Sequence, residues 1–155
     1  QSAPVTRGQA FALLTSEPEA RTPLTWERHA VQIMMLEGHT FTCPWTFQVL
    51  AHSTFPLDHL IPIAVHPINE FWNLLPNNPA HNAHVKRDRI PIAERLILAL
   101  PVMRQTYRHY ERPGPNGHQA DALTRFGHFL DIPFLSSEVI ALTNLVADTR
   151  NAPRY

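Results

Sequence analysis

The side chains best suited to chemistry lie between positions 55 and 91, where acidic, amide, imidazole and basic groups occur close together. Asp58 and His59 are adjacent, and Asn73 and Asn82 follow His59 after fourteen and twenty-three residues. A carboxylate and an amide oxygen are hard ligands that suit Mg²⁺. A histidine with a free pKa of about 6.5 can accept a proton from water at neutral pH. These residue types together would suit metal-assisted hydrolysis.

The same polar residues allow two other interpretations. In the first, four histidines form a zinc site: His59, His66, His81 and His84. Zinc prefers four nitrogen or sulfur ligands, and neither an HExxH nor a Cys2His2 spacing is present. In the second, a histidine is a partly buried hydrogen-bonding group near a turn, which is how we interpret the remaining six: His29, His39, His52, His109, His118 and His128. Cys43 is interpreted as a small core residue.

The elements that must position these residues begin with a segment of mixed pattern. Residues 1–24 show no sustained period and are expected to form an arm or linker. Thr25 is predicted to cap a helix that Gly38 ends. Residues 40–51 are rich in β-branched and aromatic side chains, which favours a short hairpin with Pro44 in its turn or at its edge.

The polar segment itself is predicted to form a compact ββα unit. A strand over 57–61 is ended by Pro62, and a second strand over 71–75 is ended by Pro76. A helix over 80–88 follows and ends before Pro91.

Helical spacing dominates the rest of the chain. Apolar residues from 92 to 107 recur every three to four positions, with Pro101 as an expected kink. A break is predicted over 111–117. Two further helices are predicted over 119–130 and 136–149, the second with Ser136 as its N-cap.

Taken in order, these motifs resemble those of the HNH endonuclease family. Residues 57–62 have the sequence LDHLIP, residues 71–76 FWNLLP, and residues 81–91 HNAHVKRDRIP. The family pattern is DHxxP, then a (W)NLxP segment, then a helix with His or Asn followed by Lys, Asp and Pro. Four ordered motifs within 34 residues make the resemblance specific, and it covers roughly residues 40–91, about a third of the chain.

The resemblance implies an α+β fold with a ββα-metal (His-Me finger) core and a small β hairpin, surrounded by α-helices. It implies cleavage of phosphodiester bonds with His59 as the general base. Asp58 and Asn82 would hold Mg²⁺ or Mn²⁺, and Asn73 would tether the loop that positions the histidine. Three basic residues could contact neighbouring phosphates: Lys86, Arg87 and Arg89.

The chain departs from the family pattern in two places. Many members carry CxxC pairs, whereas this chain has one cysteine, so we expect no structural zinc. Lys86 follows Asn82 by four residues, where three is usual. A one-residue insertion at the start of the helix would keep Asn82 as the ligand, and His84 is the alternative.

Composition limits the remaining choices. A length of 155 residues suits one domain, expected over 25–155, with the motif core at 55–91 and a helical part at 92–149. The net charge is zero, so a case for nucleic acid must come from a local site. No apolar run reaches the ~20 residues of a membrane helix, no signal peptide is recognised, and a cytoplasmic protein is expected.

Partners follow from the resemblance. DNA is the expected substrate, the pattern does not separate it from RNA, and a homodimer or a further partner domain would fit double-strand cleavage. Restriction and phage defence are among the family's settings. The alternative from another class is a binding module that has lost turnover and docks nucleic acid or protein.

Overall fold

The computed structural model describes residues 24–66, 68, 70–111 and 131–155, and in these ranges the chain combines helices with a two-stranded antiparallel sheet. This is the mixture expected of an α+β protein. The elements, in chain order, are α1 (Thr25–Leu36), β1 (Leu57–His59), a 3-10 turn (Phe71–Asn73), β2 (Leu74–Pro76), α2 (Pro79–His81), a π-helical turn (Asn82–Lys86), α3 (Ala93–Tyr110) and α4 (Ile132–Thr149). The predicted arm, apart from its last residue, and the helix predicted over 119–130 lie outside the described residues.

Helix α1 ends as predicted and begins slightly differently. Gly38 has a φ of 103°, which a residue with a side chain rarely adopts. The amides of Gly38 and His39 donate to the Met35 and Met34 carbonyls, both at 3.0 Å, and so satisfy the last turn. Thr25 is the first helical residue, and Leu24 occupies the cap position without a side-chain hydrogen bond.

The hairpin predicted over 40–51 is present in a reduced form. A single antiparallel bridge joins Thr42 to Val49, and the Cys43 amide donates to the Gln48 carbonyl at 2.9 Å. Pro44 lies in the turn, as predicted. Cys43 is fully buried in the core, which confirms its interpretation as a packing residue.

The first strand of the sheet ends at His59 rather than at residue 61, and the second strand starts later than predicted. Phe71, Trp72 and Asn73 form a 3-10 turn, and β2 covers Leu74–Pro76. Phe71 and Trp72 are both buried at 1 % exposure, as buried as Leu74 and Leu75 of β2. The turn places both rings in the core, and it confirms that Trp72 is a core residue. In the sheet, Asp58 lies opposite Leu75 and His59 opposite Leu74.

Two tyrosines of helix α3 are hydrogen-bonded to the segment that contains β2. The Tyr107 hydroxyl donates to the Trp72 carbonyl at 2.6 Å, and the Tyr110 hydroxyl donates to the Leu74 carbonyl at 2.7 Å. Burial raises the pKa of both tyrosines above the ordinary value, so the hydroxyls stay protonated as donors. The helix continues through Pro101 and packs on α4.

Helix α4 begins earlier than predicted. Asp131, not Ser136, is its N-cap: the Asp131 carboxylate accepts from the Phe134 amide at 2.7 Å. Pro133 fits the first turn, where a proline amide is not needed. Ser136 is buried inside the helix, and its hydroxyl donates to the Ile132 carbonyl. None of the helices in the described ranges is long and apolar enough to cross a membrane.

Candidate active site

The candidate site lies where β1 ends. Asp58 and His59, both half-buried, form part of the wall of an open cleft with a volume of about 240 Å³. The cleft is lined by Leu24, Leu57, Asp58, His59, Pro62, Ile63 and Asp88. In a regular strand Asp58 and His59 would face opposite sides, but β1 ends at His59 and both residues reach the same cleft. Asp88, the acidic residue between the basic side chains of the third motif, also lines this cleft.

The Asp58 carboxylate forms an ion pair with a buried lysine. Lys86 Nζ lies 2.8 Å from Asp58 Oδ2 and donates to the His59 carbonyl at 2.9 Å. The Lys86 side chain is 1 % exposed, and the Asp58 side chain 21 %. Lys86 was expected to contact phosphate from the surface. A buried ammonium group needs close polar partners, and its partners here are the carboxylate and backbone of the site itself.

Asn77 joins the two residues expected to hold the metal, and sequence reasoning missed it. Its Nδ2 lies 3.3 Å from Asp58 Oδ2 and 3.4 Å from Asn82 Oδ1. The side chain is 1 % exposed, and its Oδ1 has no hydrogen-bond partner among the described residues. Its position directly after Pro76, which ends β2, was the available signal. The consequence is that one buried amide group links a carboxylate side chain and an amide side chain from different elements.

A π-helical turn accommodates the four-residue spacing between Asn82 and Lys86, which is one residue longer than usual in the family pattern. Residues 82–86 are π-helical, and the Arg87 amide donates to the Asn82 carbonyl at 3.0 Å, five residues back. A π-helical turn contains one more residue than an α-helical turn, and such turns often occur at functional sites. Asn82 is half-buried, whereas His84, the alternative ligand, is exposed.

Arg87 follows this turn in a strained conformation. Its φ of 50° and ψ of −135° belong to a region that glycine favours. The side chain is exposed, so of the three basic residues expected to contact phosphate, Arg87 is the most accessible. Arg89 is half-buried and donates to the Val85 carbonyl.

Asn73 holds the loop that follows His59. Its Oδ1 accepts from the Ile61 amide at 2.8 Å, and its Nδ2 donates to the Ile61 and Ile68 carbonyls at 3.1 and 2.9 Å. Its backbone carbonyl accepts from the Leu60 amide at 2.8 Å. The side chain is fully buried. This arrangement fixes the chain on the carboxyl side of His59.

The histidines of the zinc interpretation are distributed over different environments. His66 is buried and lies 3.2 Å from Arg150 Nη2, and His81 Nε2 lies 3.0 Å from the Tyr155 hydroxyl. Burial, assisted by the charges of Arg95 and Lys86, lowers the pKa of His81. Within the described ranges, no three His, Cys, Asp or Glu side chains converge on a point.

The two residues that the resemblance assigns to a metal, Asp58 and Asn82, offer oxygen atoms. Such hard ligands fit Mg²⁺ or Mn²⁺, which bind few protein groups and keep several waters. No family model, curated protein or solved structure matches the chain. Function is therefore inferred from this geometry and from the order of the motifs.

Proposed function

We propose that this protein is a metal-dependent nuclease with a ββα-metal core of the HNH type, which hydrolyses phosphodiester bonds of DNA. The observation that carries the proposal is that Asn77 Nδ2 links the side chains of Asp58 and Asn82, at 3.3 and 3.4 Å, while Asp58 and His59 line one cleft. A histidine beside a hard oxygen site is the pairing that metal-assisted hydrolysis of a phosphodiester requires.

Asp58 and Asn82 would hold the ion. When bound, a Mg²⁺ or Mn²⁺ ion would stabilise negative charge on the scissile phosphate and on the departing 3′ oxygen. Asp58 Oδ2 is engaged by Lys86 and by Asn77, so we assign the ion to Oδ1. Asn77 keeps the Asn82 amide oxygen turned toward the carboxylate. The chain thus supplies few protein ligands, and water and phosphate oxygens complete the set.

His59 acts as the general base. A neutral imidazole accepts a proton from the attacking water, and the water oxygen forms a bond to phosphorus as the bond to the 3′ oxygen breaks. The departing 3′ oxygen takes a proton from solvent, and His59 later releases its proton to solvent, so the products are a 5′-phosphate and a 3′-hydroxyl. Lys86 fixes the carbonyl of His59, and Asn73 fixes the loop that follows, so the backbone is held at His59 and directly after it.

A binding module is the second candidate, and one observation favours it. The Lys86 ammonium group lies on the carboxylate that would hold the metal, and a cation beside Asp58 weakens its attraction for another cation. In that case the fold would dock nucleic acid or a protein without turnover.

One experiment separates the two candidates. Purified protein is mixed with a 5′-labelled duplex in Mg²⁺, Mn²⁺ or EDTA, and both affinity and cleavage are measured for the wild type, His59→Ala and His29→Ala. His29, interpreted from the sequence as partly buried, is instead exposed on α1 and serves as the matched control. A nuclease cuts only with metal, loses cutting in His59→Ala while retaining affinity, and is unaffected by His29→Ala. Binding without cutting under every condition would support the binding module.

A further inference from the structure

Two arginines lie against one tyrosine ring beside the candidate active site. The guanidinium carbon of Arg95 is 4.4 Å from the centre of the Tyr155 ring, and that of Arg89 is 5.1 Å from it. Backbone pairing fixes the tyrosine: its amide donates to the Ile90 carbonyl, and its carbonyl accepts from the Ile92 amide at 2.8 Å. The ring is therefore a rigid platform for both cations.

Neither guanidinium is neutralised within the described ranges. The ion pairs found there join Lys86 to Asp58 and Arg154 to Asp148. The Nε atoms of Arg89 and Arg95 are buried and have no hydrogen-bond partner among the described residues. Both side chains are half-buried, so water screens their charges less than on an open surface. Two partly desolvated positive charges without a carboxylate are costly unless an anion joins them.

The pair is connected to the metal-binding turn. Arg89 lies three residues after Lys86, and the Tyr155 hydroxyl lies 3.0 Å from Nε2 of His81, the residue before Asn82. Arg95 belongs to the first turn of α3, where the helix dipole adds positive potential. An anion at this place would lie next to the candidate site and outside it.

We propose that Arg89 and Arg95, stacked on Tyr155, bind a backbone phosphate of a nucleic acid at a position other than the scissile one. This inference rests on the proposed function for the identity of its ligand. Stacking on a ring uses the face of a guanidinium, and hydrogen bonding to phosphate uses the N–H groups in its plane, so both contacts can be made together. The site positions the strand and is independent of base sequence.

The test measures how binding depends on salt. Fluorescence anisotropy gives the affinity for a 20-base-pair duplex in EDTA, at several KCl concentrations, for the wild type, Arg95→Gln, Arg89→Gln and the control Arg108→Gln. Arg108 is exposed in the last turn of the same helix. Loss of one phosphate contact lowers the slope of log affinity against log salt by about 0.9 and the affinity at 0.1 M salt by roughly tenfold. We expect both changes in Arg95→Gln and Arg89→Gln and neither in Arg108→Gln.

A merely structural stack gives a different result. Arg95→Gln would then lower the melting temperature and leave the salt slope unchanged, which would overturn the inference, as would absence of duplex binding by the wild type. Changed slopes without cleavage in Mg²⁺ or Mn²⁺ would support the phosphate site and refute the nuclease. Cleavage with unchanged salt slopes would support the nuclease and refute the phosphate site.

Discussion

Replacing Asn73 by alanine tests whether the loop after His59 is tethered as the structure indicates. The side chain makes three hydrogen bonds of 2.8 to 3.1 Å, to the amide and carbonyl of Ile61 and to the carbonyl of Ile68. It is fully buried, and Ile61 and Ile68 are 0 % and 3 % exposed. Alanine cannot replace any of these bonds, and little water is available to the groups left behind.

The size of the effect follows from these contacts. A typical hydrogen bond contributes about 1 kcal/mol net, and a buried group left unpaired costs about 1–3 kcal/mol. Three bonds that share one side chain give an expected loss of about 3–5 kcal/mol in the free energy of unfolding. For a chain of this length, such a loss lowers the melting temperature by about 10 °C. It is a large part of the ~5–15 kcal/mol that stabilises a typical domain.

The assay is urea unfolding followed by tryptophan fluorescence, since buried Trp72 adjoins Asn73. Asn82→Ala is the matched control, because the Asn82 side chain makes one long contact of 3.4 Å, to Asn77. We expect the control to lose less than about 1 kcal/mol, although it removes a proposed metal ligand. If Asn73→Ala is no more destabilised than Asn82→Ala, the tether does not hold the loop and the role assigned to Asn73 is refuted.

Three further predictions concern charge, backbone strain and pH. Lys86→Met removes the ammonium group from Asp58, and the free energy of unfolding should fall by about 2–3 kcal/mol. Calorimetry should show tighter Mn²⁺ binding, because the competing positive charge is gone. Weaker Mn²⁺ binding would contradict the argument that Lys86 repels the metal. Arg87→Gly relieves the φ of 50° and should raise the free energy of unfolding by about 1 kcal/mol, whereas Arg87→Ala keeps the Cβ and should not. Burial lowers the pKa of His109, and the neighbouring His39 lowers it further. A hydrogen bond to the Thr40 carbonyl partly offsets this lowering. The unfolded chain therefore binds the proton more readily, and the stability contributed by neutral His109 is lost as the pH falls below about 6.5. The urea midpoints at pH 7 and pH 5 should differ less in His109→Gln than in the wild type. An equal difference in the two proteins would show that His109 does not cause the loss of stability at low pH.

The order of the elements could be predicted from the sequence because prolines and periodicity mark their ends. Gly38 ends α1, β2 ends at Pro76, and the long helix after Pro91 follows its apolar spacing. Pro62 does not mark a strand end, because β1 already ends at His59. Two further boundaries were wrong. Phe71–Asn73 form a 3-10 turn, and its last residue is bonded to Ile61 and Ile68 by contacts that the sequence does not show. The Asp131 cap starts α4 before Ser136.

The candidate site was predictable in its residues more than in its contacts. Asp58, His59, Asn73 and Asn82 follow from motif order, but a sequence does not show whether a lysine side chain points out to phosphate or in to a carboxylate. The π-helical turn decides this for Lys86, since it changes the direction in which the side chain leaves the helix. Asn77 carries no motif, and only the approach of β2 to the turn reveals it.

The central claim is tested most directly by the rate of plasmid nicking in Mn²⁺ by the wild type and by His59→Ala. The proposal predicts nicking by the wild type that EDTA abolishes, with a rate at least about a hundredfold lower in the variant, since general-base catalysis contributes about 10²–10⁴-fold. Equal rates in the two proteins would contradict the role of His59, and absence of nicking by the wild type with either Mg²⁺ or Mn²⁺ would contradict the nuclease.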